Sequence, residues 1–460
     1  MRPGGISRLA AILAGATAIV VGSSAPAVAQ PSHWFVPHAF RQPPTTAQCE
    51  ADFQVACYQP SQFQRAYNMN PLYRAGLSGQ GETIVLVDSY GSPTIQDDLA
   101  TFDQQTGLPA PPSLDIIQPA GTVPAYDPTD YDMGAWAFET TLDVEYAHAI
   151  APAANILLVE TPTDETLGVQ GFPEIVKAEN YVINHNLGAV ISQSFGAAEE
   201  TFPSAQSIYS LRSAYVNALI HRVTVLGASG DGGATDISVY GGPVVNYFPF
   251  RVNSWPSSDP LVTSVGGTQL HLDGVGNRTA ADNVWNDTAL LGSPAAGGGG
   301  ISAVFKRPPY QADEARLVGR SRGTPDVSMS AAVDGASLVY LSFTNSAYGT
   351  SPGWYLVGGT SEASPLFAGI VAIADQAAGH RLGLLNPDLY ALGDSPRSGI
   401  VDVTAGDNSV TFTQQVPGTP DDGTTYTVNG FQARPGYDLA SGLGTIDGLR
   451  LVRQLVRLGR

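Results

Sequence analysis

The sequence has little cysteine, histidine or lysine, and beyond its N-terminal segment it has no long apolar run. It contains two Cys and seven His among 460 residues, and its lysines are Lys177 and Lys306. Two cysteines cannot cross-link a large core, so packing must hold the fold together. Because no later stretch reaches about eighteen apolar residues without a charge, we expect no membrane-spanning helix.

The chain carries a large excess of acidic groups. Its 41 Asp and Glu against 22 Lys and Arg give a formal net charge of −19. This charge argues against nucleic acid or an anionic membrane as a partner. Carboxylates lose their charge as the pH falls, so the composition also fits an acidic habitat, although acidic surfaces usually serve only solubility. We expect a monomer.

Residues 1–29 read as a secretory signal peptide. Two arginines come first, an apolar run follows at 9–21, and Ala-Val-Ala at 27–29 forms a cleavage site. The apolar run is too short to span a bilayer. We therefore expect a secreted, extracellular protein that begins near Gln30.

Residues 30–60 are rich in Pro, Gln and aromatic side chains and read as an N-terminal extension. Cys49 and Cys57 lie close together within it. In an exported protein they are expected to form a small surface disulfide. The alternative is a free thiol at each position.

The remaining chain, 61–460, alternates predicted strands with predicted helices. Apolar runs rich in β-branched residues predict strands at 83–87, 155–159, 189–191 and 223–226, and three- and four-residue periodicity predicts helices at 138–150 and 205–221. This alternation predicts one α/β domain with a doubly wound, mainly parallel sheet. Sites in such sheets form beyond the carboxyl ends of the strands, where Asp88, Ser192 and Asp231 fall.

The stretch 358–365, which reads GGTSEASP, carries the strongest catalytic signal. A serine hydroxyl is a poor nucleophile until a neighbouring base accepts its proton, so Ser361 depends on its surroundings. Taken alone, Gly-Thr-Ser before a helix is more often a structural cap, and Pro365 is tolerated in a first helical turn. The longer pattern that ends in Pro365 favours a nucleophile.

No histidine has the surroundings of a catalytic base. His148 lies in a predicted helix, where a packed or hydrogen-bonded histidine is the ordinary interpretation, and it lacks the H-G-T-H context of a subtilisin-type base. His185 and His221 follow helical segments and are predicted at helix ends or on the surface. The base must therefore be another kind of residue.

Glu139 and Asp143 stand four residues apart in a predicted helix, so they share one face. Two carboxylates held together beside apolar groups cannot both ionise easily, and such a pair shares one proton. That arrangement makes a base adapted to acid. For an arbitrary Glu-x-x-x-Asp, two solvated carboxylates would be the ordinary interpretation.

These motifs together resemble the sedolisin, or serine-carboxyl peptidase, family. The catalytic stretches of that family match 138–146, 229–232 and 359–365. Other stretches that look like the family occur at 87–93, 192–196, 265–268, 297–311 and 325–328. The match runs in consistent order from about residue 61 to about residue 444, which makes it far more specific than any single motif.

The resemblance implies a subtilisin-like fold, with helices on both faces of the sheet, and an acid-active peptidase. Ser361 would attack the peptide carbonyl, while Glu139 would take its proton and later deliver it to the leaving amine. Asp143 would hold and tune Glu139. Asp231 would line the oxyanion hole, where a protonated carboxyl donates a hydrogen bond but a carboxylate repels the oxyanion. Without the other motifs, Asp231 would be read as a turn aspartate.

The resemblance also implies one structural calcium ion in the C-terminal loop region. Asp402 and Asp438 would bind through side chains, and Val403, Arg434 and Gly436 through backbone carbonyls. Oxygen-only ligation suits calcium. Arg434 departs from the smaller residue expected there, and the alternative is two aspartates in ordinary turns.

Two features depart from the family pattern. Glu362 and Ser364 replace small apolar residues beside the nucleophile, and the extension is short where sedolisins commonly carry a long propeptide.

Two rival functions follow from the sequence. One rival is a subtilisin-type peptidase that uses Asp88, a histidine and Ser361. Asp231 counts against it, because that class prefers an asparagine. The other is a non-catalytic exported binding protein on the same scaffold.

Overall fold

The computed structural model describes residues 34–36, 39–240, 245–393, 397–416 and 419–459, so the predicted signal peptide at 1–29 lies outside the described residues. The strands are β1 (Trp34–Phe35), β2 (Cys57–Tyr58), β3 (Thr83–Ser89), β4 (Leu114–Ile117), β5 (Asn155–Thr161), β6 (Val190–Gln193), β7 (Ala197–Ala198), β8 (Thr224–Ala228), β9 (Ile237–Tyr240), β10 (Val245–Tyr247), β11 (Ser254–Trp255), β12 (Thr263–Gln269), β13 (Asn283–Val284), β14 (Gly300–Lys306), β15 (Ser321–Thr324), β16 (Val327–Ser330), β17 (Ala336–Leu341), β18 (Gly353–Gly358), β19 (Ile400–Val401), β20 (Val410–Thr413), β21 (Thr425–Val428) and β22 (Thr445–Ile446). The α-helices are α1 (Thr46–Phe53), α2 (Pro60–Ala66), α3 (Asn70–Arg74), α4 (Ile95–Thr106), α5 (Tyr131–Ile150), α6 (Phe172–Asn184), α7 (Ala205–Leu211), α8 (Ser213–His221), α9 (Thr288–Leu291), α10 (Ala315–Val318), α11 (Thr360–Ala378), α12 (Asn386–Leu392) and α13 (Gly448–Leu458). In this described part, none of the helices combines the length and apolar character that crossing a membrane requires.

A mainly parallel sheet lies at the centre of the molecule. Its strand order is β13-β12-β8-β6-β3-β5-β4, and β16 also pairs with β12. Among its described strands, only the β12–β13 pair is antiparallel. Near-continuous apolar runs form these strands because helices cover both faces. The doubly wound α/β sheet predicted from the sequence is confirmed.

Alternate side chains of β3 enter two different hydrophobic cores. Ile84 and Leu86 pack with residues of α5 and α11. Val85 and Val87 pack with residues of α6 and α8 on the opposite face. This alternation is the two-residue period of a strand. The sheet is therefore covered on both sides, as a parallel sheet requires.

The predicted strands are confirmed as β3, β5, β6 and β8, but both helix predictions had wrong boundaries. The helix predicted at 138–150 begins at Tyr131, because Asp130 Oδ1 accepts the first free N–H groups of α5. The helix predicted at 205–221 is broken at Arg212 into α7 and α8. Arg212 pairs with the buried Asp259, while the apolar pattern continues because both helices pack on one core.

The N-terminal extension is built into the fold. β1 pairs with β18 and β2 with β17, which gives a second sheet of order β1-β18-β17-β2. Cys49 and Cys57 form the predicted disulfide. Its predicted surface location is wrong, since both cysteines are fully buried. The reason is that α1 and β2 carry them into the core formed with α5 and β17.

Candidate active site

The predicted catalytic residues meet at the carboxyl-terminal edge of the parallel sheet. Asp231 follows β8, and Ser361 is the second residue of α11. Glu139 and Asp143 lie one turn apart on α5, which packs against α11. All four side chains are buried. Ligand sites of open α/β sheets form at this edge, because the loops that follow the strands open there.

Asp88, at the end of β3, joins Glu139 and Asp143 in a buried group of carboxyls. Burial raises the pKa of Asp143, and the negative charges of Asp88 and Glu139 raise it further. Burial also raises the pKa of Asp88, with Glu139 again adding to the shift. Asp88 and Asp143 therefore hold protons more tightly than free carboxyls do.

Ser194, the residue after β6, connects Ser361, the predicted nucleophile, with the carboxyl pair. Its hydroxyl donates to Asp143 Oδ1 at 2.7 Å and lies 3.4 Å from the backbone oxygen of Ser361. The Ser361 hydroxyl in turn donates to the backbone oxygen of Ser194 at 3.4 Å. Gly359 has a φ of 143°, which a residue with a side chain rarely adopts, and it forms the turn from β18 into α11.

Asp231 is fixed to the start of α11 by Thr360. The backbone N–H and the hydroxyl of Thr360 both donate to Asp231 Oδ1 at 2.8 Å. Within the described chain, Oδ2 has no hydrogen-bond partner. Burial raises the pKa of Asp231 well above its ordinary value, although the two bonds from Thr360 oppose the shift. A protonated Asp231 has a hydrogen to donate, which a carboxylate lacks.

The two residues that depart from the family pattern are buried in the first turns of α11. Burial raises the pKa of Glu362 to about 8, although Ser330 and Ser337 oppose the shift. Glu362 is therefore neutral in acid. Ser364 Oγ lies 2.8 Å from Ser192 Oγ and joins α11 to β6.

Each histidine in the described residues bonds away from Ser361. His148 is buried on α5, where its Nε2 lies 3.1 Å from Asp103 Oδ1 and 2.9 Å from the backbone oxygen of Pro109. The others bond to Tyr181 O, Asn217 O, Asn283 Oδ1 and Arg381 O. His148 is thus a packed, hydrogen-bonded residue, as its sequence context predicts. The described part of the chain forms no histidine base for Ser361.

Two of the predicted calcium ligands contact the same short turn. Asp402 Oδ2 accepts from the backbone N–H of Gly436 at 3.0 Å, and Asp438 Oδ2 accepts from that of Arg434 at 2.8 Å. Asp438 Oδ1 also accepts from the N–H groups of Ala440 and Ser441 and from the Ser441 hydroxyl. A carboxylate has about four acceptor sites, so Asp438 would have to give up part of these bonds to bind a metal ion. Over the described ranges no group of three or more His, Cys, Asp or Glu side chains is suited to a metal. A site here therefore depends on carbonyl oxygens as well, which calcium accepts.

Sequence reasoning missed the connecting roles of Ser194 and Thr360. Both lie in stretches that resemble the family, yet nothing in a single sequence distinguishes a connecting hydroxyl from a turn or cap residue. The sequence singled out Asp88 by its strand-end position, by the family-like stretch 87–93 and as part of the rival subtilisin-type site, but not as a member of the carboxyl group. Asp88 is the third buried carboxyl of the site. Its burial follows from its strand-end position, because β3 lies between β5 and β6 in the sheet.

The chain is similar over most of its length to several known peptidases. It is 30% identical over 415 residues to kumamolisin from Bacillus sp. (strain MN-32), which covers 87% of this chain and 64% of that protein. It is 26% identical over 391 residues to sedolisin from Pseudomonas sp. (strain 101), with 85% and 60% covered. Mouse tripeptidyl-peptidase 1 is 28% identical over 344 residues, with 70% and 52% covered. No protein-family model matches the chain.

A solved structure with the same architecture is Pseudomonas sedolisin, a serine-carboxyl proteinase, in complex with two molecules of pseudo-iodotyrostatin. The two superpose with a TM-score of 0.69 at 24% identity, over 88% of this chain and all of the other. The chain has the sedolisin fold. It spans between about half and two thirds of the length of the curated relatives it matches.

Proposed function

We propose that this protein is a secreted serine-carboxyl peptidase that hydrolyses peptide bonds in acid. The observation that carries the proposal is that Ser194 links Ser361 to a buried group of carboxyls, while each histidine in the described residues bonds elsewhere. The similarity to kumamolisin, sedolisin and tripeptidyl-peptidase 1 supports the same reaction class.

In this mechanism Ser361 Oγ attacks the peptide carbonyl as Glu139 accepts its proton. The new bond joins Oγ to the carbonyl carbon, and the C–N bond then breaks as Glu139 returns the proton to the leaving amine. Water repeats the sequence on the acyl-enzyme and releases the second product. Asp143 orients Glu139, and the bond from Ser194 orients Asp143.

Asp231 stabilises the negative oxygen that forms during each attack. In the protonated state it donates a hydrogen bond, and the bonds from Thr360 to Oδ1 leave Oδ2 available for that proton. Loss of the proton would put a negative charge beside the oxyanion. Activity is therefore restricted to pH values at which Asp231 stays protonated, and burial extends that range upward by raising its pKa.

The remaining parts of the proposal concern stability and location. A calcium ion would bind between Asp402, Asp438 and the carbonyls of Val403, Arg434 and Gly436, and would cross-link the loop that they form. The disulfide-bearing extension stays attached to the 61–460 domain because β1 and β2 belong to its second sheet. The protein acts as an extracellular monomer on peptides or proteins, without nucleic-acid or membrane partners.

The proposal is tested by incubating the protein with unstructured peptides from about pH 2 to about pH 9 and identifying products by mass spectrometry. We expect cleavage in acid that Ser361→Ala abolishes without a change in the circular dichroism spectrum. Ser364→Ala is the matched control, since it removes a buried hydroxyl from the same helix.

The two rival functions predict different results. A subtilisin-type peptidase would cleave best above neutral pH. A binding protein would cleave at no pH in either form. Either result would contradict the proposal.

A further inference from the structure

The loop that carries Asp231 is held by a neighbouring strand segment. The backbone oxygen of Asp231 accepts from the N–H of Ala296 at 2.9 Å, and the N–H of Gly233 donates to the oxygen of Ala296 at 2.9 Å. These two bonds tie the loop to the segment formed by Ala296 and Gly297, which we call the supporting segment. The position of the Asp231 carboxyl therefore depends on what fixes both the loop and that segment.

Asn408 forms hydrogen bonds to both the Asp231 loop and the supporting segment. Its side-chain amide donates to the oxygen of Gly297 at 3.1 Å, and its backbone oxygen accepts from the N–H of Ala234 at 3.0 Å. Its side-chain oxygen accepts from the N–H of Phe431 at 2.7 Å. The side chain is fully buried. One residue thus joins the Asp231 loop, the supporting segment and the C-terminal loop region.

The contact between Asn408 and the Asp231 loop is direct. A Cβ added to Gly233 would lie 2.6 Å from the backbone oxygen of Asn408, and Gly233 has a φ of +69°. No side chain could be accommodated between the two segments without a shift in the backbone. Any movement of Asn408 therefore displaces the loop directly, because no side chain lies between the two backbones.

We propose that Asn408 is a positioning residue for the oxyanion hole, and this inference rests on the proposed peptidase function. By bonding to Ala234 in the Asp231 loop and to Gly297, the residue after Ala296, it keeps the carboxyl in place for the transition state. Asn408 lies between the predicted calcium ligands Asp402 and Asp438, so the C-terminal loop region supports catalysis as well as stability.

The expected effect follows from the steep dependence of oxyanion stabilisation on geometry. Losing an oxyanion donor lowers kcat about 100- to 1,000-fold, and a displacement of about 1 Å can have a similar effect. The oxyanion exists in the transition state and not in the bound substrate, so KM should change little. We expect Asn408→Ala to lower kcat at least about tenfold, with KM changed less than about threefold.

Asn386→Ala is the matched control. Asn386 is also fully buried, but its side chain bonds away from the Asp231 loop: it donates to the oxygen of Val262 and to the Tyr310 hydroxyl, both at 3.0 Å, and accepts from Thr263. Both variants and the wild type would be assayed with a peptide substrate, a peptide aldehyde and the corresponding alcohol. An aldehyde forms a tetrahedral adduct with the serine, whereas the alcohol does not. Asn408→Ala should weaken aldehyde binding about tenfold relative to alcohol binding, and Asn386→Ala should not.

Asn408→Asp provides a second test that does not depend on the alanine variant folding. A protonated Asp can donate to Gly297 and accept from Phe431, but an ionised Asp cannot donate. The variant should approach wild-type kcat at the lowest pH values and lose activity at lower pH than the wild type does. A constant reduction at every pH would overturn the inference.

The outcomes separate this inference from the proposed function. If the wild type has no Ser361-dependent hydrolysis, the function itself fails. If the wild type is active and Asn408→Ala behaves like Asn386→Ala in kcat and in the ratio of aldehyde to alcohol binding, Asn408 is structural only.

Discussion

Glu362 is a buried acid next to Ser361, the proposed nucleophile, and the proposed mechanism does not use it. Its carboxyl lies among Ser330, Ser337 and core residues, and burial raises its pKa to about 8. In the unfolded chain it would titrate near an ordinary value of 4.5. Below that value both states are protonated and the residue has no electrostatic cost. As the pH rises to about 8, only the unfolded state gains by ionising, so the free energy of unfolding falls.

Replacing Glu362 with Gln should therefore stabilise the protein at neutral pH and leave it unchanged in strong acid. The gain should appear above about pH 5 and reach a few kcal/mol near pH 8, at about 1.4 kcal/mol per pKa unit. Thermal unfolding as a function of pH measures it. Glu50→Gln, at an exposed position on α1, serves as the control and should show no such trend. Equal effects of Glu362→Gln at all pH values would contradict this account.

At the scale of elements, the proposed catalytic residues depend on α5 and α11 and on the segments that pack around these helices. Phe35 of β1 lies 5.0 Å, centroid to centroid, from Phe138, the residue before Glu139. The N-terminal extension thus supports the helix that carries Glu139, the proposed base. The Cys49–Cys57 disulfide closes the turn between α1 and β2 in the same extension.

Removing this disulfide with Cys49→Ser and Cys57→Ser should lower the free energy of unfolding by about 2 kcal/mol, because the unfolded chain loses a short-loop constraint. Urea unfolding at acid pH measures the change. Since both cysteines are buried, the two hydroxyls add to the cost. Peptide hydrolysis should persist in the folded variant. No difference in urea midpoint between the variant and the wild type would contradict this prediction.

The elements that sequence reasoning found are those with a local signal. β3, β5, β6 and β8 have apolar runs that predict buried strands wherever they pair. The break at Arg212 was missed because α7 and α8 share one core face and so preserve the helical period. The pairing of β1 with β18 was missed because it joins segments more than three hundred residues apart, and nothing local encodes the partner.

The site residues that could be predicted are likewise those with a signal in the local sequence. Glu139, Asp143, Asp231 and Ser361 were predicted from residue types and from a family resemblance, and the structure brings all of them to one buried edge of the sheet. Ser194 was not predicted, because its connecting role depends on the meeting of β6 with α5 and α11. Its hydrogen bonds are tertiary, and tertiary contacts of single polar residues leave no periodic pattern in the sequence.

At the scale of the whole molecule, both the buried and the surface carboxyls make the folded state more stable as the pH falls. The formal net charge of −19 at pH 7 falls in magnitude as the pH decreases, so repulsion within the folded state decreases. Burial also raises the pKa of Asp88, Asp143, Asp231 and Glu145, which are therefore stable in their neutral forms. The protein should be most stable in acid.

The C-terminal loop region gives a prediction about metal removal. If calcium binds there, chelation should lower the melting temperature of the wild type, because a ligand that binds only the folded state stabilises it. Asp402→Asn should melt lower than the wild type and should no longer respond to chelator. Asp407→Asn, a neighbouring loop aspartate outside the predicted ligand set, is the control. A wild type that melts identically with and without chelator would contradict the calcium site.

The most direct test of the account is the pH dependence of kcat/KM for the wild type, Glu139→Gln and His148→Gln. Both positions lie on α5 and both are buried, so the variants are matched in environment. We expect wild-type activity confined to acid, a loss of at least about 1,000-fold in Glu139→Gln, and retained activity in folded His148→Gln. Activity that peaks above neutral pH, survives Glu139→Gln and disappears in folded His148→Gln would contradict the claim that a carboxyl group takes the role of histidine.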